Sequence, residues 1–130
     1  RGWHWGPITR TDGLDLSRSI TSARYRYIYN ALPNRTYTPV DMPGTDAWKA
    51  IKSAHAASNL LPLHHRLYFQ NPRPIVELYD LRDDPLELNN LAGAKSVVDI
   101  ERTLRQQLER WMIREHDFLP LPTHALLNEQ

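Results

Sequence analysis

Residues 76–91 (Val-Glu-Leu-Tyr-Asp-Leu-Arg-Asp-Asp-Pro-Leu-Glu-Leu-Asn-Asn-Leu) constrain the fold of this chain more tightly than any other part. Val76, Leu78 and Asp80 alternate with Glu77, Tyr79 and Leu81. That period of two is the mark of a strand with two different faces. Asp84 then offers an N-cap oxygen, and Pro85 suits a first helical position, where its missing N–H would have no partner anyway. Glu87, three residues after the cap, has the spacing to reach back and close a capping box. Asn89 and Asn90 tolerate the left-handed conformation that stops a short helix. The stretch therefore predicts a strand, a sharp turn and a short capped helix, and nothing in it performs chemistry.

A strand needs partners, and residues 17–31 supply two. The pattern predicts strands over 17–23 and 24–31 joined as an antiparallel hairpin, with Tyr25, Tyr27 and Tyr29 on one face. Arg24, Arg26 and Ile28 take the other face. A row of tyrosines and arginines can stack bases and hold phosphates. Here the net charge is only +1, with 16 basic and 15 acidic residues interspersed, so the footprint of a nucleic-acid binder is missing. No apolar run approaches a membrane span. With no cysteine, disulfides, thiolate metal sites and a cysteine nucleophile are excluded.

The rest of the chain reads as one domain of 130 residues. Residues 1–16 are loop, rich in Trp, Gly, Pro and Asp, followed by the strand pair at 17–31. Residues 32–65 form a loop and helix insertion. Its helix spans 45–57, capped by Thr45, with Trp48, Ile51 and His55 on one stripe. Residues 66–91 are strand and capped turn, beginning with an edge strand at 66–70 that ends in the prolines of 71–74. Residues 96–116 form the longest helix, capped by Ser96, with Val97, Ile100, Leu104, Leu108 and Trp111 as its buried stripe. Glu101 and Arg105 are placed for a supporting i,i+4 pair, and 117–130 is a frayed tail. The elements give an α+β fold: a small antiparallel sheet of about four strands packed against the long C-terminal helix.

Several residues invite a chemical reading. His55, His64 and His65 match no usual metal-ligand spacing and read as ordinary surface or hydrogen-bonded histidines. Asn34-Arg35-Thr36 is an N-glycosylation sequon, of consequence only in a eukaryotic secretory pathway. Trp3-His4-Trp5 is a loop pinned by indoles, or a loop that turns His4 toward a ligand.

The motif residues also carry a resemblance. Glu77-Leu78-Tyr79-Asp80-Leu81, then Asp84-Pro85-x-Glu87, then Asn90-Leu91-Ala92 resembles the C-terminal region of the formylglycine-dependent (type I) sulfatases. Upstream and in the right order, residues 17–30, with Arg24, Tyr25, Tyr27 and Asn30, are similar to that family's strand pair. Residues 111–117 and the proline-rich tail resemble the sulfamidase (heparan N-sulfatase) group within it. The resemblance covers about residues 17–30 and 68–122.

The resemblance implies a four-stranded antiparallel subdomain with a helix packed on it, belonging to a larger enzyme. That enzyme would hydrolyse sulfate esters or N-sulfamates, on sugars if the sulfamidase likeness holds. It implies a formylglycine nucleophile and a calcium ion in the parent, both in a larger N-terminal domain that is this chain's partner, and no cofactor in this chain. In the sulfamidase-like group a histidine loop before the strand pair often lies near the substrate, which makes His4 a candidate substrate contact. The start at Arg1 without Met reads as a cut inside a longer protein. The parent's expected destinations are the periplasm, the cell exterior or the lysosome. Ala31-Leu32-Pro33-Asn34-Arg35 has the spacing of the family's Cys/Ser-x-Pro-x-Arg nucleophile motif, but alanine has no heteroatom to oxidise. The alternatives are a free-standing interaction module, or a carbohydrate- or nucleic-acid-binding domain using Trp3, Trp5 and the tyrosine strand. Under the sulfatase reading, the Tyr25/Tyr27/Tyr29 row with Trp3 and Trp5 is expected to be an aromatic face set against the larger domain, through which the isolated chain self-associates.

Overall fold

A computed structural model describes residues 16–36 and 44–117. His4, Trp3 and Trp5 lie outside them. The described elements are β1 (Ser17–Thr21), β2 (Tyr25–Asn30), α1 (Asp46–Ala56), α2 (Pro62–Phe69), β3 (Val76–Asp80), a 3-10 turn (Lys95–Val97) and α3 (Val98–Arg114). This is an α+β fold. Among the described residues the sheet has three strands, antiparallel throughout, in the order β1-β2-β3. The described residues divide into two compact units, one holding 16–31 and 76–117, the other 32–36 and 44–75.

In the first unit, the β1–β2 turn is stitched by Ser22, whose backbone N–H donates to the Tyr25 carbonyl at 2.8 Å and whose Oγ accepts from the Tyr25 N–H at 2.9 Å. Register then puts Ile20 opposite Tyr27 and Tyr27 opposite Leu78. Tyr27 and Leu78 are the largest fully buried side chains, and they meet Val97, Leu104 and Leu108 to form the core. Tyr25, Tyr29, Val76, Ile100 and Met112 pack around them. The tyrosine row therefore lies beneath α3 and is not the exposed aromatic face expected of it. Burial there pushes the Tyr27 phenol above its ordinary value.

The helix differs from expectation at both ends. Ser96 does not cap it: the chain enters through the 3-10 turn, where the Val97 N–H donates to the Ala94 carbonyl at 3.1 Å. Val97 points into the core, so its neighbour Ser96 is left outside. Glu101 does not pair with Arg105; it accepts from the Gly93 N–H at 2.7 Å, and Arg105 faces Glu109. Trp111 is 38% exposed and Met112 takes its place on the buried stripe, because Leu104, Leu108 and Met112 share the i,i+4 row. At the C-terminus His116 adopts φ 51°, and its N–H donates to Ile113 while that of Asp117 donates to Met112. These two hydrogen bonds make a Schellman stop.

The expected helix after Asp84 does not form. Glu87 is left-handed, at φ 56°, and so breaks a helix at its third position. Its carboxylate is engaged by Arg26 of β2, and the Asp84 N–H that it was expected to cap donates to the Asp80 carbonyl at 2.7 Å. Asp84 still closes a loop, accepting from the Leu88 N–H at 3.0 Å and the Asn89 N–H at 2.8 Å. Neither Asn89 nor Asn90 is the left-handed residue. Asn90 instead borders β3: its Oδ1 accepts from the Leu78 N–H at 2.9 Å and its Nδ2 donates to the Val76 carbonyl at 3.2 Å. The Leu91 N–H donates to the Leu78 carbonyl at 2.8 Å, so at Leu78 the outer edge of β3 is satisfied by a side chain and one backbone group in place of a further strand.

In the second unit, Thr45 caps α1 as expected, its Oγ1 accepting from the Trp48 N–H at 3.2 Å. The expected edge strand at 66–70 is helical. Pro62 opens α2, and the Tyr68 and Phe69 rings both pack on Trp48 of α1. No helix of the described residues is long and apolar enough to cross a membrane.

Two neighbouring asparagines separate the edge role from mere turn chemistry. Asn90→Ala leaves the N–H of fully buried Leu78 without its acceptor and is expected to cost about 1–3 kcal/mol in urea unfolding. Asn89→Ala, which removes only an exposed side chain, should stay within about 0.5 kcal/mol of wild type.

Candidate functional site

The two blocks of motif residues meet across β2 and β3. Tyr25 pairs with Asp80 and Tyr27 with Leu78. At the open end of this pair Arg24 forms a fork with Asp80: Nε lies 2.9 Å from both carboxylate oxygens and Nη2 is 2.5 Å from Oδ2. Two parallel donors on one carboxylate are stronger and more directional than a single bond. Arg24 Nη2 also reaches Asp83 at 3.1 Å, and Arg82 holds Asp83 from the other side at 2.9 Å. The backbone tightens the same corner, with the Leu81 N–H donating to the Arg24 carbonyl at 2.7 Å. The guanidinium carbon of Arg24 stands 5.1 Å from the Tyr25 ring centre.

On the sheet face away from α3 a second set of motif residues is joined. Asn30 Nδ2 donates to Glu77 Oε1 at 2.5 Å, and the Tyr79 hydroxyl donates to Glu77 Oε2. Asn30 and Tyr79 are buried. Beside them Arg26 donates to Glu87 and, at 3.2 Å, to Thr21. At the opposite edge Arg18 of β1 grips Asp117 through Nε at 2.5 Å and Nη2 at 2.8 Å. Of the singled-out residues, Arg24, Tyr25, Tyr27, Asn30, Glu77, Leu78, Tyr79, Asp80 and Glu87 are thus brought together in pairs across the sheet. Asp84, Asn90 and Leu91 close the loop beyond β3, and Pro85 lies exposed in its turn.

These contacts hold carboxylates against guanidiniums and amides. The Arg24 bond, then the Arg82 backbone N–H, hold the Asp80 carboxyl down at about 2, well below the usual carboxylate range. The bond to Arg18 holds Asp117 low as well, and the bond to Arg82 does the same for Asp83. Their partners Arg24, Arg18 and Arg82 are pushed further up. A carboxylate held so low is a poor general base and no acid at neutral pH. Among the described residues no group of three or more His, Asp or Glu side chains is gathered to hold a metal ion.

In the unit of residues 32–75, α1 ends in a Schellman stop at Ser58, which adopts φ 56°. The Ser58 N–H donates to His55 and the Asn59 N–H to Ala54. An open pocket follows, lined by His55, Ser58, Leu60, Pro62 and His65. Phe69 stacks on His55, its ring centre 3.9 Å away, and the ring centres of His55 and His65 are 5.2 Å apart. Spacing along the chain gives no hint of this juxtaposition, because it depends on the reversal at Ser58. Ala31 closes the sheet, its N–H donating to the Leu16 carbonyl at 2.8 Å; its methyl side chain offers nothing to activate.

No protein-family model matches the chain. It is similar to an ulvan-active sulfatase of Formosa agariphila, with 30% identity over 120 residues. The match takes in 88% of this chain and 20% of that enzyme, so the chain spans about a fifth of the length of the relative it matches. The similarity relates the chain to a sulfatase across both units.

The Arg24–Asp80 fork sets an acid limb. Because the folded Asp80 carboxyl is held at about 2, below an unfolded value of about 3.9, its contribution is complete above about pH 4 and is lost as pH falls toward 2. Urea midpoints of wild type and Asp80→Asn should therefore differ most at neutral pH and converge toward pH 2. A gap that stays constant down to pH 2 would show that Asp80 acts without its charge.

Proposed function

We propose that this chain is the C-terminal subdomain of a formylglycine-dependent sulfatase, and that it braces the catalytic domain without supplying catalytic groups. One observation carries the reading: the two sequence blocks that resemble the family's C-terminal region are the ones that clasp each other, Arg24 to Asp80, Tyr27 to Leu78 and Asn30 to Glu77. The similarity to a sulfatase over 120 residues independently supports the sulfatase part of it.

Whether this chain could hold the family's reactive groups is a question of donors. A formylglycine needs a cysteine or serine precursor, and the position with matching spacing is Ala31. A calcium ion takes six to eight oxygen ligands, whereas Asp80 and Asp83 are already held by Arg24 and Arg82. Ala31, Asp80 and Asp83 therefore fit neither group. Both are assigned to an N-terminal catalytic domain, the proposed partner, and no step of the reaction runs through the residues described. The reaction of the whole enzyme is hydrolysis of a sulfate ester or N-sulfamate, with sulfated sugars as the substrate class. Ulvan, named for the relative, is the first substrate to try. The sulfamidase-like tail makes an N-sulfated sugar the second.

The test has two arms. Reading the coding sequence upstream of Arg1 should reveal Cys/Ser-x-Pro-x-Arg in the same frame, and its absence would remove the sulfatase assignment. The purified chain, given an aryl sulfate and calcium, should show no turnover. Turnover that a point mutation within this chain abolishes would refute the bracing role.

A further inference from the structure

The pocket of the 32–75 unit holds a pair of ligating groups that the sulfatase reading does not use. His55 comes from the last turn of α1 and His65 from the first half of α2. The reversal that joins them is built from three local devices: left-handed Ser58, the Schellman bonds behind it, and Pro62 opening α2. Both rings line the same open pocket. Phe69 packs flat on His55, tilted by only 2°, which fixes that ring while leaving its nitrogen-bearing edge in its own plane.

The separation of the rings is informative. An imidazole nitrogen lies ~1.1 Å from its ring centre and ~2.0–2.1 Å from a bound zinc ion, so the centre of each ligating ring lies ~3.2 Å from the metal. Two such rings at the tetrahedral angle have centres ~5.2 Å apart, against ~4.5 Å at the right angle of a square-planar ion. The rings of His55 and His65 are 5.2 Å apart and tilted by 39° to each other. Imidazole suits borderline ions, whereas calcium and magnesium prefer oxygen.

We propose that His55 and His65 form a two-imidazole site for zinc or a similar tetrahedral divalent ion, with the remaining coordination positions open to water from the pocket. The site is independent of the sulfatase assignment. It is distinct from the oxygen-ligated calcium which that assignment places in another domain. With only two protein ligands it binds reversibly, and it adds a clip between α1 and α2 that stabilises the helix pair when occupied.

The test uses the full, tag-free chain, stripped with a chelator and titrated with zinc alone by calorimetry. One saturable equivalent is expected, with the ring protons of His55 and His65 shifting together in NMR spectra. His65→Gln and His55→Gln should each weaken binding at least tenfold. His55 also stacks on Phe69, so His65→Gln, at an exposed position, decides the matter if the other variant loses helix by circular dichroism. The site is overturned by an absence of saturable binding or by binding unchanged in His65→Gln.

Discussion

The pairing of β2 with β3 is the constraint on which the sheet unit depends. Residues 32–75 separate the two strands in sequence, so no tight turn fixes their register. A slip of one residue would turn every side chain to the wrong face. The two most deeply buried side chains, Tyr27 and Leu78, are direct cross-strand partners, so such a slip would expose both at once. Full burial of a large apolar side chain stabilises by about 1.5–3 kcal/mol, which gives the register its penalty. The polar clasps then act as end stops: Arg24 on Asp80 at one end, Asn30 on Glu77 toward the other.

The remaining edges are closed by irregular chain. Asn90 and Leu91 occupy the hydrogen-bonding groups of Leu78 on the outer side of β3. The helix α3 is pinned over the tyrosine face by the core residues Val97, Leu104 and Leu108, and at its end by a coupled device. The Schellman stop at His116 brings Asp117 under Arg18 of β1, and the bidentate fork holds it there. Helix stop and ion pair depend on one another, because only the left-handed residue turns Asp117 back toward the sheet.

The proposed bracing role rests on interlocked pairs of this kind. Asp80, Asp83 and Asp117 are each held by an arginine, and carboxylates locked in this way do not exchange protons near neutrality. Chemistry in proteins is commonly carried on segments inserted into rigid scaffolds. Here the inserted segment between β2 and β3 is where imidazoles converge, at a reversal built from Ser58 and Pro62.

What the sequence determined by itself was whatever depends on short-range periodicity. The three strands, α1 with its Thr45 cap, and the span of α3 were all legible, because alternation and the 3.6-residue stripe are local properties of the chain. The Glu-Leu-Tyr-Asp block was legible as a motif, though its contacts were not. Tertiary structure decided where competing partners existed. Glu87 could bond back to Asp84 or across to Arg26, and the strand pairing brought Arg26 within reach. Residues 66–70 alternate well enough for a strand, but the helix begun at Pro62 runs through Phe69, with two aromatic rings against Trp48. The tyrosine row could face either way, and α3 chose its side by burying Tyr27. His55 and His65 became neighbours only through the left-handed turn at Ser58, a backbone state that serine rarely adopts and that no spacing rule anticipates.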